Sequence, residues 1–148
     1  VKGKKYFETP LKYYMADVGL RNARLNFRQV EENHIMENII FNELKVRGYS
    51  VDVGVVESKE TIDGKRKLKQ LEIDFVANKG AKKYYIQSAY EMPTEEKLRQ
   101  EKRSLIKVGD SFKKIVVVKD NIRPRIDEDG IVTMGLLNFL LDQKSLDL

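Results

Sequence analysis

The chain has 148 residues, 34% of them charged and 41% hydrophobic, which is typical of one globular domain. It has no cysteine and one histidine, so disulfides, thiolate nucleophiles and metal sites built on cysteine or several histidines are excluded. No apolar run reaches the roughly 20 residues that span a bilayer, and we therefore expect no membrane partner and a cytoplasmic location.

The positive charge is concentrated at the N-terminus. The first 28 residues carry seven basic and two acidic residues, which accounts for the whole formal net charge of +5. Arg21, Arg24 and Arg28 could follow a nucleic-acid backbone, because cations bind phosphates and the nearby aromatic rings can stack on bases. The alternative is a solvated linker followed by a helix that packs through its tyrosines. We predict a basic linker and helical segment over residues 1–28 and a separate domain over residues 29–148.

Two helical regions are predicted in the first third of the chain. The mixed spacing of apolar residues between Leu11 and Leu25 predicts one or two short helices. A stronger helix is predicted from about His34 to Arg47, where apolar residues recur at helical spacing. Asn33 can cap its first turn, and Gly48 can end it.

Three strands are predicted next, and they form an antiparallel meander. They cover Tyr49–Glu57, Leu71–Ala77 and Lys83–Tyr90. Asp63-Gly64 predicts a hairpin turn inside a charged connector, and residues 78–81 predict a second turn.

The last third of the chain predicts a helix, a buried strand and a terminal helix. Pro93 and Thr94 open a charged helix, which Thr94 can cap. Ile115–Val118 is a continuous β-branched run and predicts a strand buried on both faces. A polar loop is expected over Arg123–Gly130 and a short helix over Met134–Leu141. A meander followed by a helical crossover predicts an α/β fold with a mixed sheet and helices on both faces.

Polar side chains of three predicted elements are expected to meet. Glu37 lies on the apolar side of the strong helix, where a charge is costly unless it is paired. Alternation puts Leu71, Ile73 and Phe75 on one face of the second strand, so Glu72 and Asp74 share the other face. Across the hairpin, Asp74 can neighbour Gln87.

Such a group of oxygen atoms has two interpretations. It is what a hard divalent cation such as Mg²⁺ needs. A hydrogen-bond network among Glu37, Asp74 and Gln87 would use the same geometry, and Glu72 with Asp74 could instead line a solvated strand face.

Four stretches of the sequence resemble the motifs of a known domain. They are Lys12–Arg21 (KYYMADVGLR), Met36–Ile40 (MENII), Leu71–Val76 (LEIDFV) and Tyr85–Tyr90 (YIQSAY). With the αβββαβ order they resemble the PD-(D/E)XK nucleases. They resemble more closely the C-terminal domain of a group of bacterial and archaeal AAA+ ATPases, known as domain of unknown function 4143. The resemblance covers about Phe7 to Leu141 and implies a restriction-endonuclease-like fold, with a mixed central sheet flanked by helices.

The resemblance implies a nuclease-like site with two departures. Glu37 matches the helix glutamate of the nuclease fold, and Asp74 matches its metal-binding aspartate. Gln87 falls where a nuclease has a second carboxylate, and its amide oxygen can ligate a cation without adding charge. Ala89 falls where nucleases carry a lysine that orients or activates water, which alanine cannot do. Mg²⁺ or Mn²⁺, held by Glu37, Asp74 and Gln87, is the cofactor that this site implies.

Two functions are therefore expected. The first is a non-catalytic or degenerate module that binds nucleic acid or a protein partner as the C-terminal part of an ATPase. The second is a metal-dependent DNA phosphodiesterase that uses Glu37, Asp74 and Gln87. ATP would bind only in an ATPase part outside this chain, which has no G-x-x-x-x-G-K-[ST] loop.

The expected partners follow from the same resemblance. They are DNA, a protein partner and the ATPase domain of the same full-length chain. Lys65, Arg66 and Lys67 form a basic hairpin tip, which on a nuclease fold can contact phosphates and is otherwise simply solvated.

Overall fold

A computed structural model describes residues 11–28, 31–62, 65–90 and 95–148, with their side chains except at 59–67, 95 and 97. The helices are α1 (Val18–Arg24), α2 (Glu32–Val46), α3 (Glu95–Ile106) and α4 (Leu136–Leu141). The strands are β1 (Ser50–Ile62), β2 (Lys65–Lys79), β3 (Lys82–Ala89), β4 (Lys113–Val118), β5 (Arg125–Ile126) and β6 (Ile131–Gly135). A 3-10 turn follows at Ser145–Asp147. None of the helices in these ranges has the length and apolar character needed to cross a membrane.

The strands form one mixed sheet in the order β1-β2-β3-β4-β6-β5. The first three pair antiparallel as the predicted meander, and β4 joins β3 in parallel after the α3 crossover. Strand β6 extends the sheet in parallel with β4, and β5 pairs antiparallel with β6. The prediction of an α/β fold with a mixed sheet is confirmed.

Two apolar clusters attach helices to opposite faces of the sheet. Helices α2 and α4 cover one face, where Met36, Ile40 and Phe139 pack with Phe75 and Ile86. Helix α3 covers the other face through residues such as Leu105 and Leu98. The central strand β4 supplies buried residues to both clusters. The prediction that it is buried on both sides is therefore confirmed.

Strand β2 carries a bulge at Asp74. The pairing with β1 runs Asp52↔Val76 and then Gly54↔Ile73, so two residues of β2 face one residue of β1. Ile73 and Phe75 consequently lie in different apolar clusters, and their predicted placement on one face is wrong. Bulges re-aim side chains in this way and are common beside functional sites. Here the bulge turns Asp74 toward α2 and β3.

The boundaries of α2 differ from prediction at one end. The helix begins at Glu32 after Glu31, which makes no side-chain capping bond. Asn33 therefore lies within the first turn and is not the cap. At the other end, Gly48 has a φ of +82°, a conformation that favours glycine, and the predicted stop is confirmed.

The charged connector predicted between the first two strands is part of the sheet. The pairing continues to Ile62↔Lys65, and acidic Glu60 stands opposite basic Lys67 in the register. The charged segment is therefore extended as part of this strand pair. The turn at Asp63-Gly64 and the Thr94 cap lie outside the described residues.

The C-terminal part holds two strands that the sequence did not predict. Met134 belongs to β6, whose five residues are all buried, and α4 begins only at Leu136. The predicted polar loop contains β5 at Arg125–Ile126. The reason is burial beside β4, which favours a strand over a helix at Ile131 and Val132.

Candidate functional site

The predicted site residues converge on one groove of about 740 Å³. Glu37 comes from α2, Asp74 from the bulge of β2 and Gln87 from β3. Glu101 of α3, which the sequence analysis missed, lines the opposite wall. The groove is therefore built from both helical layers and the two strands between them.

A lysine from the N-terminal segment lies among the carboxylates. Residues 11–16, which we call the strap, place the Lys12 ammonium 2.5 Å from Glu72 Oε1 and 3.2 Å from Asp74 Oδ1. The same Nζ lies 3.6 Å from Glu37 Oε2. A single ammonium thus pairs with three carboxylates from two different elements.

The strap is held by contacts that do not involve Lys12. The buried Asn38 side chain accepts a hydrogen bond from the Met15 amide at 2.8 Å and donates one to the Met15 carbonyl at 2.7 Å. Asn42 donates to the same carbonyl at 2.9 Å. The Tyr14 ring stacks on Phe41 with centroids 4.3 Å apart. These contacts fix the point from which Lys12 reaches the carboxylates of Glu37, Glu72 and Asp74.

Hydrogen bonds also join Asp74, Ser88, Gln87 and Glu101. Asp74 Oδ2 accepts a hydrogen bond from the Ser88 amide at 2.9 Å. Gln87 Oε1 accepts the Asp74 backbone amide at 3.4 Å, and its Nε2 donates to Glu101 at 3.4 Å. The hydrogen-bond network expected among Glu37, Asp74 and Gln87 is present in part. Gln87 bonds to the Asp74 backbone and to Glu101, whereas Glu37 is joined to Asp74 through Lys12.

Burial dominates the protonation behaviour of the groove. It raises the pKa values of Glu37, Asp74 and Glu101, and repulsion from Asp74 raises those of Glu37 and Glu101 further. Burial alone would lower the pKa of Lys12, but its hydrogen bond to Glu72 and the charges of Asp74 and Glu37 raise that pKa above its usual value. Lys12 is therefore a permanent cation, and it opposes the upward shift of Glu37 and Asp74.

This arrangement does not fit a bound Mg²⁺ ion. Mg²⁺ needs close to octahedral oxygen ligands at about 2.0–2.1 Å. Within the described ranges, no three acidic or histidine side chains are gathered closely enough to hold a metal ion. The Gln87 oxygen faces a backbone amide, and Lys12 holds the carboxylates. Mg²⁺ or Mn²⁺ stays a prediction, and the residues as placed do not form its ligand shell.

Replacing Lys12 by methionine tests the ammonium as counter-ion. We expect Lys12→Met to lose about 2 kcal/mol of unfolding free energy at pH 7, because Asp74 and Glu37 lose their cation. Their pKa values then rise further, so the folded variant loses stability as the pH rises through those values. As the pH falls below those pKa values, the carboxyls become protonated in both proteins, and the difference in stability should fall to less than half.

Urea unfolding at pH 4 and pH 7 measures this difference. Lys107→Met, which removes an exposed lysine outside the groove, is the matched control and should change stability by less than about 0.5 kcal/mol at either pH. An equal loss for Lys12→Met at both pH values would contradict the assignment.

Of the predicted nucleic-acid residues, Arg21, Arg24 and Arg28 do not line the groove. Arg21 and Arg24 lie on α1, which Asp17 caps by accepting the Leu20 amide at 2.9 Å and which buries no residue. Arg24 and Arg28 are exposed, and Phe27 between them is 68% exposed. Lys65, Arg66 and Lys67 have their backbone in β2, and their side chains lie outside the described part of the chain. Ala89 lines the groove and brings no charge.

Comparisons with known proteins give little further guidance. No family model matches the chain, and no solved structure matches it. A protein of Haemophilus influenzae described only as uncharacterized is 34% identical over 141 residues. The match covers 95% of this chain and 31% of the relative, so the chain spans about a third of the length of the curated relative it matches.

Proposed function

We propose that this chain is the restriction-endonuclease-like C-terminal module of a bacterial or archaeal AAA+ ATPase, and that it binds nucleic acid without cleaving it. The αβββαβ order and the convergence of Glu37, Asp74 and Gln87 support the nuclease-like part of this proposal. A relative three times as long is compatible with a module of a larger protein. ATP binding would belong to the rest of that protein.

One observation carries the non-catalytic part of the proposal. The Lys12 ammonium sits on Asp74 and Glu72, where a catalytic metal would need the same oxygen atoms. Ala89 leaves the motif lysine position without a charge, and the Gln87 oxygen is turned to the backbone. Within the described residues the groove has no formed metal shell, and position 89 supplies no lysine to activate water.

The distribution of charge favours nucleic-acid binding at α1 and the residues that follow it over binding at the acidic groove. Five acidic residues line the groove, Glu32, Glu37, Glu72, Asp74 and Glu101, and the Lys12 ammonium pairs with three of them. Such a surface repels phosphate. Arg24 and Arg28 instead present exposed cations beside an exposed aromatic ring, Phe27, which is the combination that single-stranded nucleic acid binds.

The proposal is tested with one preparation in which cleavage and binding are measured together. We expect no cleavage of single- or double-stranded DNA in Mg²⁺ or Mn²⁺, and the same background for Glu37→Gln/Asp74→Asn. Metal-dependent cleavage that disappears in this double variant would overturn the non-catalytic proposal.

Binding is measured as a function of salt in the same buffers. We expect Arg21→Gln/Arg24→Gln/Arg28→Gln to weaken DNA binding and to reduce the slope of log K against log salt by about 2–3, because each phosphate contact contributes roughly one unit or slightly less. The matched control replaces three exposed lysines, Lys45, Lys107 and Lys144, by glutamine and changes net charge equally. Equal effects of the two triple variants, or no DNA binding by the parent chain, would contradict the nucleic-acid part of the proposal.

A second candidate function has one observation in its favour. Lys12 places an ammonium beside Asp74. Ala89, at the position of the motif lysine, provides no such charge. If the domain is a metal-dependent phosphodiesterase, Lys12→Met abolishes its cleavage while Lys107→Met does not. If the domain is non-catalytic, neither variant changes the background.

A further inference from the structure

We propose that Lys12 is a built-in cation of the groove: its ammonium takes the place of a divalent ion, and an external ion enters only when the ammonium is removed. The inference holds whether or not the chain binds nucleic acid.

The first support is the geometry around the ammonium. Glu37, Glu72 and Asp74 lie on two elements, and each places an oxygen within 3.6 Å of Lys12 Nζ. Glu37 and Asp74 are largely buried, with side chains 19% and 10% exposed, so their charges need a partner. Among the described residues, Lys12 provides the ammonium that pairs with both carboxylates.

The second support is that the strap has its own anchors. Asn38 and the Tyr14–Phe41 stack hold residues 14 and 15 independently of the ammonium. Removing the charge of Lys12 should therefore leave the strap in place and the carboxylates without a partner. Without the ammonium the three carboxylates repel one another, and a doubly charged ion would offset that repulsion. The half-exposed Glu72 has room to move toward such an ion.

A third observation comes from the same groove. Ser104 is 5% exposed, and its Oγ has no hydrogen-bond partner among the described residues. Because buried hydroxyls are normally bonded, this atom indicates that the groove admits water or another small ligand. A hydrated cation could therefore reach the carboxylates.

Mn²⁺ titration by calorimetry tests the proposal on the 148-residue chain. We expect Lys12→Met to bind Mn²⁺ at least about tenfold more tightly than the parent chain, and Lys12→Met/Glu37→Gln/Asp74→Asn to lose that gain. Lys107→Met is the control that removes a lysine elsewhere and should behave as the parent. Equal Mn²⁺ affinity of the parent and Lys12→Met, including binding by neither, would overturn the proposal.

A measurement on the parent chain covers the case in which Lys12→Met fails to fold. Brief acetylation with an amine-reactive reagent, read by mass spectrometry, should modify Lys12 at least about tenfold more slowly than the exposed Lys107, because its ammonium is bonded to carboxylates. Glu72→Gln should speed the modification of Lys12 alone. Equal rates for Lys12 and Lys107 in the parent chain would contradict the built-in cation.

Discussion

Arg47→Met is expected to destabilise the protein by about 3 kcal/mol or more, the largest single effect that we anticipate. The Arg47 side chain is 8% exposed and ends α2. Its Nε donates to Glu43 at 2.7 Å, Nη1 donates to Ser145 at 3.0 Å, and Nη2 donates to the Phe139 carbonyl. The guanidinium also lies 4.7 Å from the Phe139 ring centroid. One side chain thus joins α2 to α4 and to the C-terminal turn.

Urea unfolding measures this loss of stability. Two further variants show which contacts of Arg47 cause it. Arg47→Lys keeps the charge but cannot direct three donors in a plane, so it should recover only part of the stability. Glu43→Gln removes the negative charge of one partner and keeps the other two partners, and should cost about 1 kcal/mol. A loss below about 0.5 kcal/mol for Arg47→Met would show that these contacts do not stabilise the C-terminus.

Asn38→Ala is expected to release the strap. Asn38 is 4% exposed and makes two hydrogen bonds to the Met15 backbone, so its removal should cost about 2 kcal/mol. Part of that loss is local, because the strap can lift while the sheet remains folded. We expect trypsin to cleave after Lys12 at least about tenfold faster in this variant, since the cleaved backbone must be extended and accessible.

Asn42→Ala is the matched control for this experiment. Asn42 reaches only the carbonyls of Met15 and Ala16, at 2.9 and 3.2 Å, and lies at the surface. Its loss should cost less than about 1 kcal/mol and accelerate cleavage only slightly. If both variants release the strap equally, Asn38 is not its principal anchor.

The sequence predicts the parts of the fold that repeat a pattern over many residues. Helix α2 and the meander follow from regular spacing, and β4 follows from its β-branched run. Strand β6 is missed because five residues give no usable period and Met134 continues into an apolar helix. Its signal was the pair Ile131-Val132 directly after a turn at Asp127–Gly130, where the Gly130 amide donates to the Asp127 carbonyl at 3.0 Å.

The site is predicted in part for a similar reason. Glu37, Asp74 and Gln87 stand out because a polar residue interrupts an apolar pattern in each element. Lys12 has no such signal, since it lies 62 residues from Asp74 in a segment without a clear period. Glu101 is one charge among many on α3, and only the crossover of that helix brings it to the groove.

The bulge in β2 shows how a local irregularity limits predictions from alternation. A strict period of two places Ile73 and Phe75 together, whereas one extra residue at Asp74 separates them. Gly54 is the sequence feature that accompanies the bulge. A Cβ at position 54 would lie 2.8 Å from Val76 Cγ2 and 3.0 Å from Ile73 Cβ, which is too close for a larger residue unless these side chains shift. A glycine within a valine-rich strand was thus the available clue.

The strap also determines where the chain can be cut. A fragment that starts at residue 29, the predicted domain boundary, would retain Glu37 and Asp74 but lose the ammonium between them and the ring that covers Phe41. Two buried anions and an uncovered aromatic face favour aggregation. Expression of this domain should therefore begin before Leu11, and any fusion partner should be joined upstream of that residue.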